Sequence, residues 1–238
     1  EVLPNGQSWL VSYGLLNLTH RDSHEDPEPL TSGIFYDVEI PLYMVAHRFK
    51  TGSKIRAAIS ETLWPLVWSS PEIATLTIEL GHSSLVLPVR DAIEDPVFSI
   101  PIIHSAGVSD YFHSENSSGT AVTFESPLES KTVQDIGTRL ESQSRETFCI
   151  KEGLPNSGRW AQENTTSWKR GDWSCTVSAA YELTSSAEEF QLKEVLRAQK
   201  GDEEIFNRKQ LSTIKRDCFI DRQRPQTFTL TNMRTSFK

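Results

Sequence analysis

No G-x-S-x-G pentapeptide, no P-loop and no G-x-G-x-x-G fingerprint occurs anywhere in these 238 residues. An α/β-hydrolase serine needs the first of these, because its nucleophile sits on a sharp strand-to-helix elbow. Nucleotide phosphates need one of the glycine-rich cradles. The chain is therefore expected to have no catalytic residue and no cofactor of its own. Cysteine is scarce as well: Cys149, Cys175 and Cys218 are the whole supply. An odd number at wide spacing excludes a disulfide framework, and with no C-x-x-C and no zinc-like Cys/His spacing no metal is expected. The three read as buried free thiols in strands. No run approaches the ~20 apolar residues that a helical membrane span requires. The net charge of −8 is carried by the body of the chain, and only the last residues are basic. Phosphate binding needs clustered Lys and Arg, so neither nucleic acid nor an anionic membrane is an expected partner.

What the chain does have is period-two alternation. Ile34, Tyr36, Val38 and Ile40 alternate with more polar neighbours, as do Ile55, Ala57 and Ile59, and then Leu76, Ile78 and Leu80. That period sends one set of side chains to a buried face and the other to water. Thr51-Gly52-Ser53, Ser69-Ser70-Pro71 and Gly81-His82-Ser83 separate the runs with turn chemistry. Short strands at this spacing predict an all-β fold, a jelly roll or β-sandwich, over residues 1–90. Asn5-Gly6 is a hairpin signal, with a second strand expected from Trp9 to Leu18, Asn17 included. A chain that opens inside a hairpin is expected to be a partial jelly roll without its first strand.

Residues 91–120 read as a linker and a polar loop, the loop spanning 105–120. A second antiparallel β-rich domain follows over 121–220, opening with Ala121-Val122-Thr123-Phe124. Its clearest strand alternates Trp173, Cys175, Val177, Ala179, Tyr181 and Leu183. Residues 188–200 have helix-favouring types but strand-like alternation at Phe190, Leu192, Leu196 and Ala198. The turn at Gly201-Asp202 and the apolar Ile205-Phe206 favour a strand. Residues 221–238 are polar and read as a disordered tail. The sequons at Asn17, Asn116 and Asn164 read as chance occurrences.

Two clusters stand out as sites. His20-Arg21-Asp22-Ser23-His24-Glu25-Asp26 packs acid, base and hydroxyl together. Sequence neighbours seldom converge on one atom, so a polar connecting loop is the stronger reading. Trp64-Pro65-Leu66-Val67-Trp68 is an aromatic loop after a strand. Core packing at the end of a sandwich is its plainer reading. Trp64, Pro65, Leu66 and Trp68 are also the candidates for lining a substrate pocket or a domain interface.

The order of elements in residues 1–90 carries a resemblance. Pro29-Leu30 and Gly33 precede the strand Tyr36-Asp37-Val38-Glu39-Ile40. His47-Arg48-Phe49, Gly52 and Ile55-Arg56 follow, then Ser60 with Pro65, and a closing Leu85-Val86-Leu87-Pro88-Val89. This resembles the C-terminal jelly-roll domain of the X-Pro dipeptidyl-peptidase/cocaine esterase group of α/β-hydrolases. Residues 91–220 look similar to the β-rich extension of some longer members. The resemblance implies a partner, an α/β-hydrolase domain of the same protein that carries a Ser-Asp-His triad. Nothing here matches that triad, so the chain is expected to be inactive alone. It implies a non-catalytic C-terminal portion of an acyl hydrolase or peptidase that packs on the catalytic domain and shapes its pocket. A free-standing β-sandwich that binds carbohydrate or protein is the alternative, since fold does not fix function. Sandwich edges can also pair between subunits, which leaves a homo-oligomer open.

Overall fold

A computed structural model of the chain describes residues 1–89, 110–116, 119–216 and 226–237, the second and last of these stretches as backbone strands. Among the described residues the fold is all-β, with only 3-10 turns beside the strands. The chain divides into two compact units. Unit 1 is Glu1–Glu61, Ile73–Phe98 and Asp217–Lys238. Unit 2 is Thr62–Glu72 and Ser99–Arg216. This departs from contiguous blocks at 1–90 and 121–220 in two places. Thr62–Glu72, the aromatic loop, belongs with the later strands, and the last residues belong with the first.

In unit 1, β1 (Phe35–Leu42) and β2 (Ala74–Ile78) follow the expected alternation. Val38 is buried, and Leu16, Leu18, Tyr36, Ile40 and Leu76 pack on it. The short β3 is Ser84–Leu85. Three expectations fail here. Residues 9–18 and 55–60 do not form strands, and the hairpin at Asn5-Gly6 is reduced to single bridges from Val2 to Ser8 and to Lys54. Alternation gives a segment two faces, but a strand also needs a ladder partner, and here the pairing stops after one bridge. The expected disordered tail is replaced over Gln226–Phe237 by β12, which lies parallel to β1 on one side and to β2 and β3 on the other. Thr227, Thr229 and Thr231 are β-branched, so a polar composition is compatible with a strand there.

Unit 2 is an eight-stranded antiparallel sheet. Its strands are β4 (Asp110–Asn116), β5 (Gly119–Glu125), β6 (Glu129–Val133), β7 (Thr138–Lys151), β8 (Leu154–Arg170), β9 (Trp173–Ser185), β10 (Glu189–Lys200) and β11 (Glu203–Lys215). Their order is β11-β10-β9-β8-β7-β5-β4, with β6 also beside β7. The polar loop expected across 105–120 thus contains β4, and its remaining residues up to 118 lie outside the described ones. From β7 to β11 the sheet is a meander of long hairpins, turned at Gly153, Gly171 and Gly201, each with positive φ. The ambiguous segment 188–200 is strand, paired on both sides.

Register separates the two faces of this sheet. Phe148, Trp160, Leu183 and Leu192 stand in one row across four strands. Leu140, Trp168 and Cys175 form another row on the same face. The opposite face is polar: Glu182 takes Arg159 at 2.7 Å and Lys193 at 2.9 Å. Hydrogen bonds from Lys193 and then Arg159 hold the Glu182 carboxyl below its usual range. Cys149 and Cys175 are free thiols in strands, half-buried rather than buried, and Cys218 lies outside the described residues.

Candidate functional site

The aromatic loop begins with a backbone turn in which the Val67 N–H donates to the Leu63 carbonyl at 3.0 Å, and the Trp64–Pro65 peptide is cis. This turn brings the two indoles together, 5.1 Å between centroids and tilted by 75°. Trp64 meets Phe148 edge-on at 6.2 Å, and Trp68 meets Phe190 edge-on at 5.7 Å. Phe148 in turn meets Phe124 at 6.2 Å. Such edge-to-face contacts set the electropositive ring edge against the negative face.

Gly158 is the seat for both rings. It lies two residues before Trp160 on β8, on the apolar face. A Cβ there would stand 3.1 Å from Trp68 and 3.3 Å from Trp64. Only glycine lets the rings rest on the strand without displacement. The Trp68 Nε1 donates to Ser185 Oγ at 2.8 Å, which satisfies its polar edge. The Trp64 Nε1 is buried and has no partner among the described residues.

A second clamp holds the far end of the loop. Arg216 donates to the Ser69 carbonyl at 2.7 Å, to the Ser186 carbonyl at 3.0 Å and to Asn156 Oδ1 at 3.3 Å. Its guanidinium lies 4.8 Å over the Phe190 ring. Asn156 Nδ2 donates to the Pro71 carbonyl at 2.8 Å. Burial lowers the Arg216 pKa from its usual value. A planar fork reaching several carbonyls while stacking on an aromatic ring is a task that Arg performs and Lys does not.

Trp64, Pro65 and Trp68 are therefore half-buried in unit 2, and Leu66 at the tip is 66% exposed. The sequence singled out the loop but not its partners. Phe148, Phe190, Gly158, Ser185 and Arg216 were missed. The available signal was the apolar face of β7 to β10, which needs a cover at its end.

In unit 1, His20 and His24 do approach, with their Nδ1 atoms 3.4 Å apart. The rest of that cluster is spent on the loop itself. Ser23 Oγ accepts from the Glu25 and Asp26 amides, and Arg21 donates to the Leu18 and Glu28 carbonyls while lying over Tyr36. Among the described residues no three His, Cys, Asp or Glu side chains gather to hold a metal ion. Asn17, expected in a strand, instead accepts from the Thr19 amide and hydroxyl at a 3-10 turn.

His47, from the motif His47-Arg48-Phe49, has a clear structural role. Its Nε2 lies 3.0 Å from the Glu1 carboxylate, which also accepts from the Lys50 amide at 2.8 Å. The Glu1 carboxyl is lowered to about 2, first by the Ser53 hydroxyl and then by the Lys50 amide, with a further contribution from His47. The hydrogen bonds to this carboxylate come from the Lys50 amide and His47, while Ser53 Oγ makes none of good geometry.

Neither a curated protein nor a solved structure matches the chain. A family does match its first part. Residues 1–103, which hold β1, β2, β3 and the ordered motifs around them, match the X-Pro dipeptidyl-peptidase C-terminal non-catalytic domain.

Proposed function

We propose that this chain is the non-catalytic C-terminal part of a serine acyl hydrolase or peptidase of the X-Pro dipeptidyl-peptidase/cocaine esterase type. In this reading its partner is an α/β-hydrolase domain of the same protein, on which unit 1 packs. One observation supports it most directly. Unit 1 buries Val38 yet leaves Leu10, Met44 and Leu80 about four-fifths exposed, at 80%, 80% and 81%, with Trp9 and Tyr43 at 62% and 60%. Apolar side chains left this exposed beside so small a core are surface that a partner domain could bury. The family match supports a catalytic partner, since a non-catalytic C-terminal domain is named for accompanying a catalytic one. Within the aromatic loop, Trp64, Pro65 and Trp68 position the tip, and Leu66 is the residue offered for contact with the catalytic domain or its pocket wall.

The test has two arms. The reading frame upstream of Glu1 is expected to encode a G-x-S-x-G on an α/β pattern, and the purified chain is expected to hydrolyse neither p-nitrophenyl esters nor X-Pro p-nitroanilides. Saturable turnover by the chain alone overturns the reading, as does a secretion signal directly before Glu1, which would favour a free-standing binding module. In the full-length enzyme, Leu66→Asp is expected to raise KM. An unchanged KM and thermal midpoint would remove Leu66 from the interface.

A further inference from the structure

The strand β11 ends the long meander of unit 2. Among the described residues it pairs with β10 alone, so its other edge offers a row of unpaired backbone donors and acceptors. Every residue of β11 is exposed except the half-buried Ser212. Its apolar side chains are exposed too: Phe206 at 46%, Leu211 at 63% and Ile214 at 54%. A long, open, partly apolar edge is a template for another strand. We propose that this edge pairs with the β11 of a second copy of this chain, joining the two unit 2 sheets antiparallel about a two-fold axis at Gln210.

The register follows from charge and from the pleat. A two-fold axis perpendicular to the sheet keeps the apolar face continuous only if residues of like orientation oppose each other. Centring on Arg208 or Lys209 would place that cation opposite its own copy, which disfavours pairing. Centring on Gln210 removes the clash. Phe206 then faces the partner's Ile214, and by symmetry the pair occurs twice. Arg208 meets the partner's Ser212, Lys209 meets the partner's Leu211, and the two Gln210 amides meet at the axis.

A bulge completes the match. In the β10–β11 ladder Ala198 pairs with Phe206 but Gln199 pairs with Glu204, so Ile205 is an extra residue. At a bulge two residues oppose one. Glu204 and Ile205 together would face the partner's Lys215, which puts a carboxylate opposite an ammonium at both ends of the joint. Glu204 is already oriented: both its oxygens accept from Asn207 Nδ2, at 3.1 and 3.2 Å. The edge is thus complementary to itself in charge and apolar contact at one register. That complementarity selects a second copy over an unrelated peptide as the occupant.

Sedimentation of the purified 238-residue chain is expected to show a dimer at micromolar concentration. Gln210→Lys sets two cations against each other at the axis and should raise the dissociation constant at least about tenfold. Gln210→Cys should cross-link to its own copy on mild oxidation, because Cα atoms opposed in an antiparallel pair stand about 4.5–5.5 Å apart, within disulfide reach. Glu204→Lys should weaken the dimer, and adding Lys215→Glu should restore it. All three positions are exposed, and circular dichroism would verify that the variants fold. A monomer throughout the micromolar range overturns the proposal. So does a dimer that Gln210→Lys leaves intact and Gln210→Cys fails to cross-link.

Discussion

Unit 1 and unit 2 contain comparable β-forming sequence, yet they assemble it differently. From β7 to β11 each strand of unit 2 pairs with the next one in the chain, through short turns, three of the four at a glycine. Unit 1 joins β1 and β2 through β12, a strand from the far end of the chain. Neighbour pairing closes short loops and costs little entropy per contact; distant pairing closes long loops before any contact rewards it. The difference shows in packing. Unit 2 spreads partial burial over long strands and anchors one end with two indoles, whereas unit 1 gathers its apolar contacts around Val38. A local meander can thus hold a sheet together with few fully buried residues, while a unit closed by distant strands depends on each of the few it has.

That contrast can be broken from either side. Trp68→Ala should have the largest effect, about 3 kcal/mol, because it removes edge-to-face contacts to Trp64 and Phe190 together with the bond to Ser185. Denaturant unfolding followed by hydrogen exchange should show the loss in the amides of β8 to β10. If the amides of β1 and β2 lose protection and those of β8 to β10 do not, the assignment of the loop to unit 2 is wrong.

Val38→Ala should come next, at about 2 kcal/mol. Its loss should appear in β1 and β2, and an equal loss in β9 and β10 would mean that the contrast between the units is not energetic. Arg216→Ala should cost about 1.5 kcal/mol, since it leaves the Ser69 and Ser186 carbonyls without their donor. Lys at the same position should recover little of it, and full recovery in thermal unfolding would refute the fork-and-stack account.

The smallest effect should be the pH dependence at Glu1. Its folded pKa, about 2, lies below the usual 4.5. The stabilisation is therefore complete above about pH 4.5 and drains away as pH falls towards the folded value. Thermal midpoints of the native chain and Glu1→Gln should converge at about pH 3 relative to neutral pH. A constant gap across that range would exclude the carboxylate as the cause.

The legible parts of this fold were those in which one segment carries its own signal. Trp173, Cys175, Val177, Ala179, Tyr181 and Leu183 alternate, and β9 is where they predict it. Phe190, Leu192, Leu196 and Ala198 outweighed the helical propensity of their neighbours because strands flank them on both sides. Ile55, Ala57 and Ile59 alternate as well, yet form no strand, since alternation does not specify a partner. The aromatic loop was legible as unusual, but its allegiance was not. Trp68 and Ser185 are 117 residues apart, and no local pattern encodes such a contact. Arg216 was equally opaque, because a charged residue after a strand reads as solvated until its carbonyl partners are known.

The placement of Thr62–Glu72 has a practical consequence for cutting this chain into pieces. The family match runs through residue 103, so a fragment ending there would take the two indoles away from Phe148, Phe190 and Gly158. The complementary fragment would keep the sheet and lose its anchor. Homology boundaries and folding boundaries are different here: a truncation that respects the first divides unit 2 between two tubes, and only a chain that retains Thr62–Glu72 carries it whole.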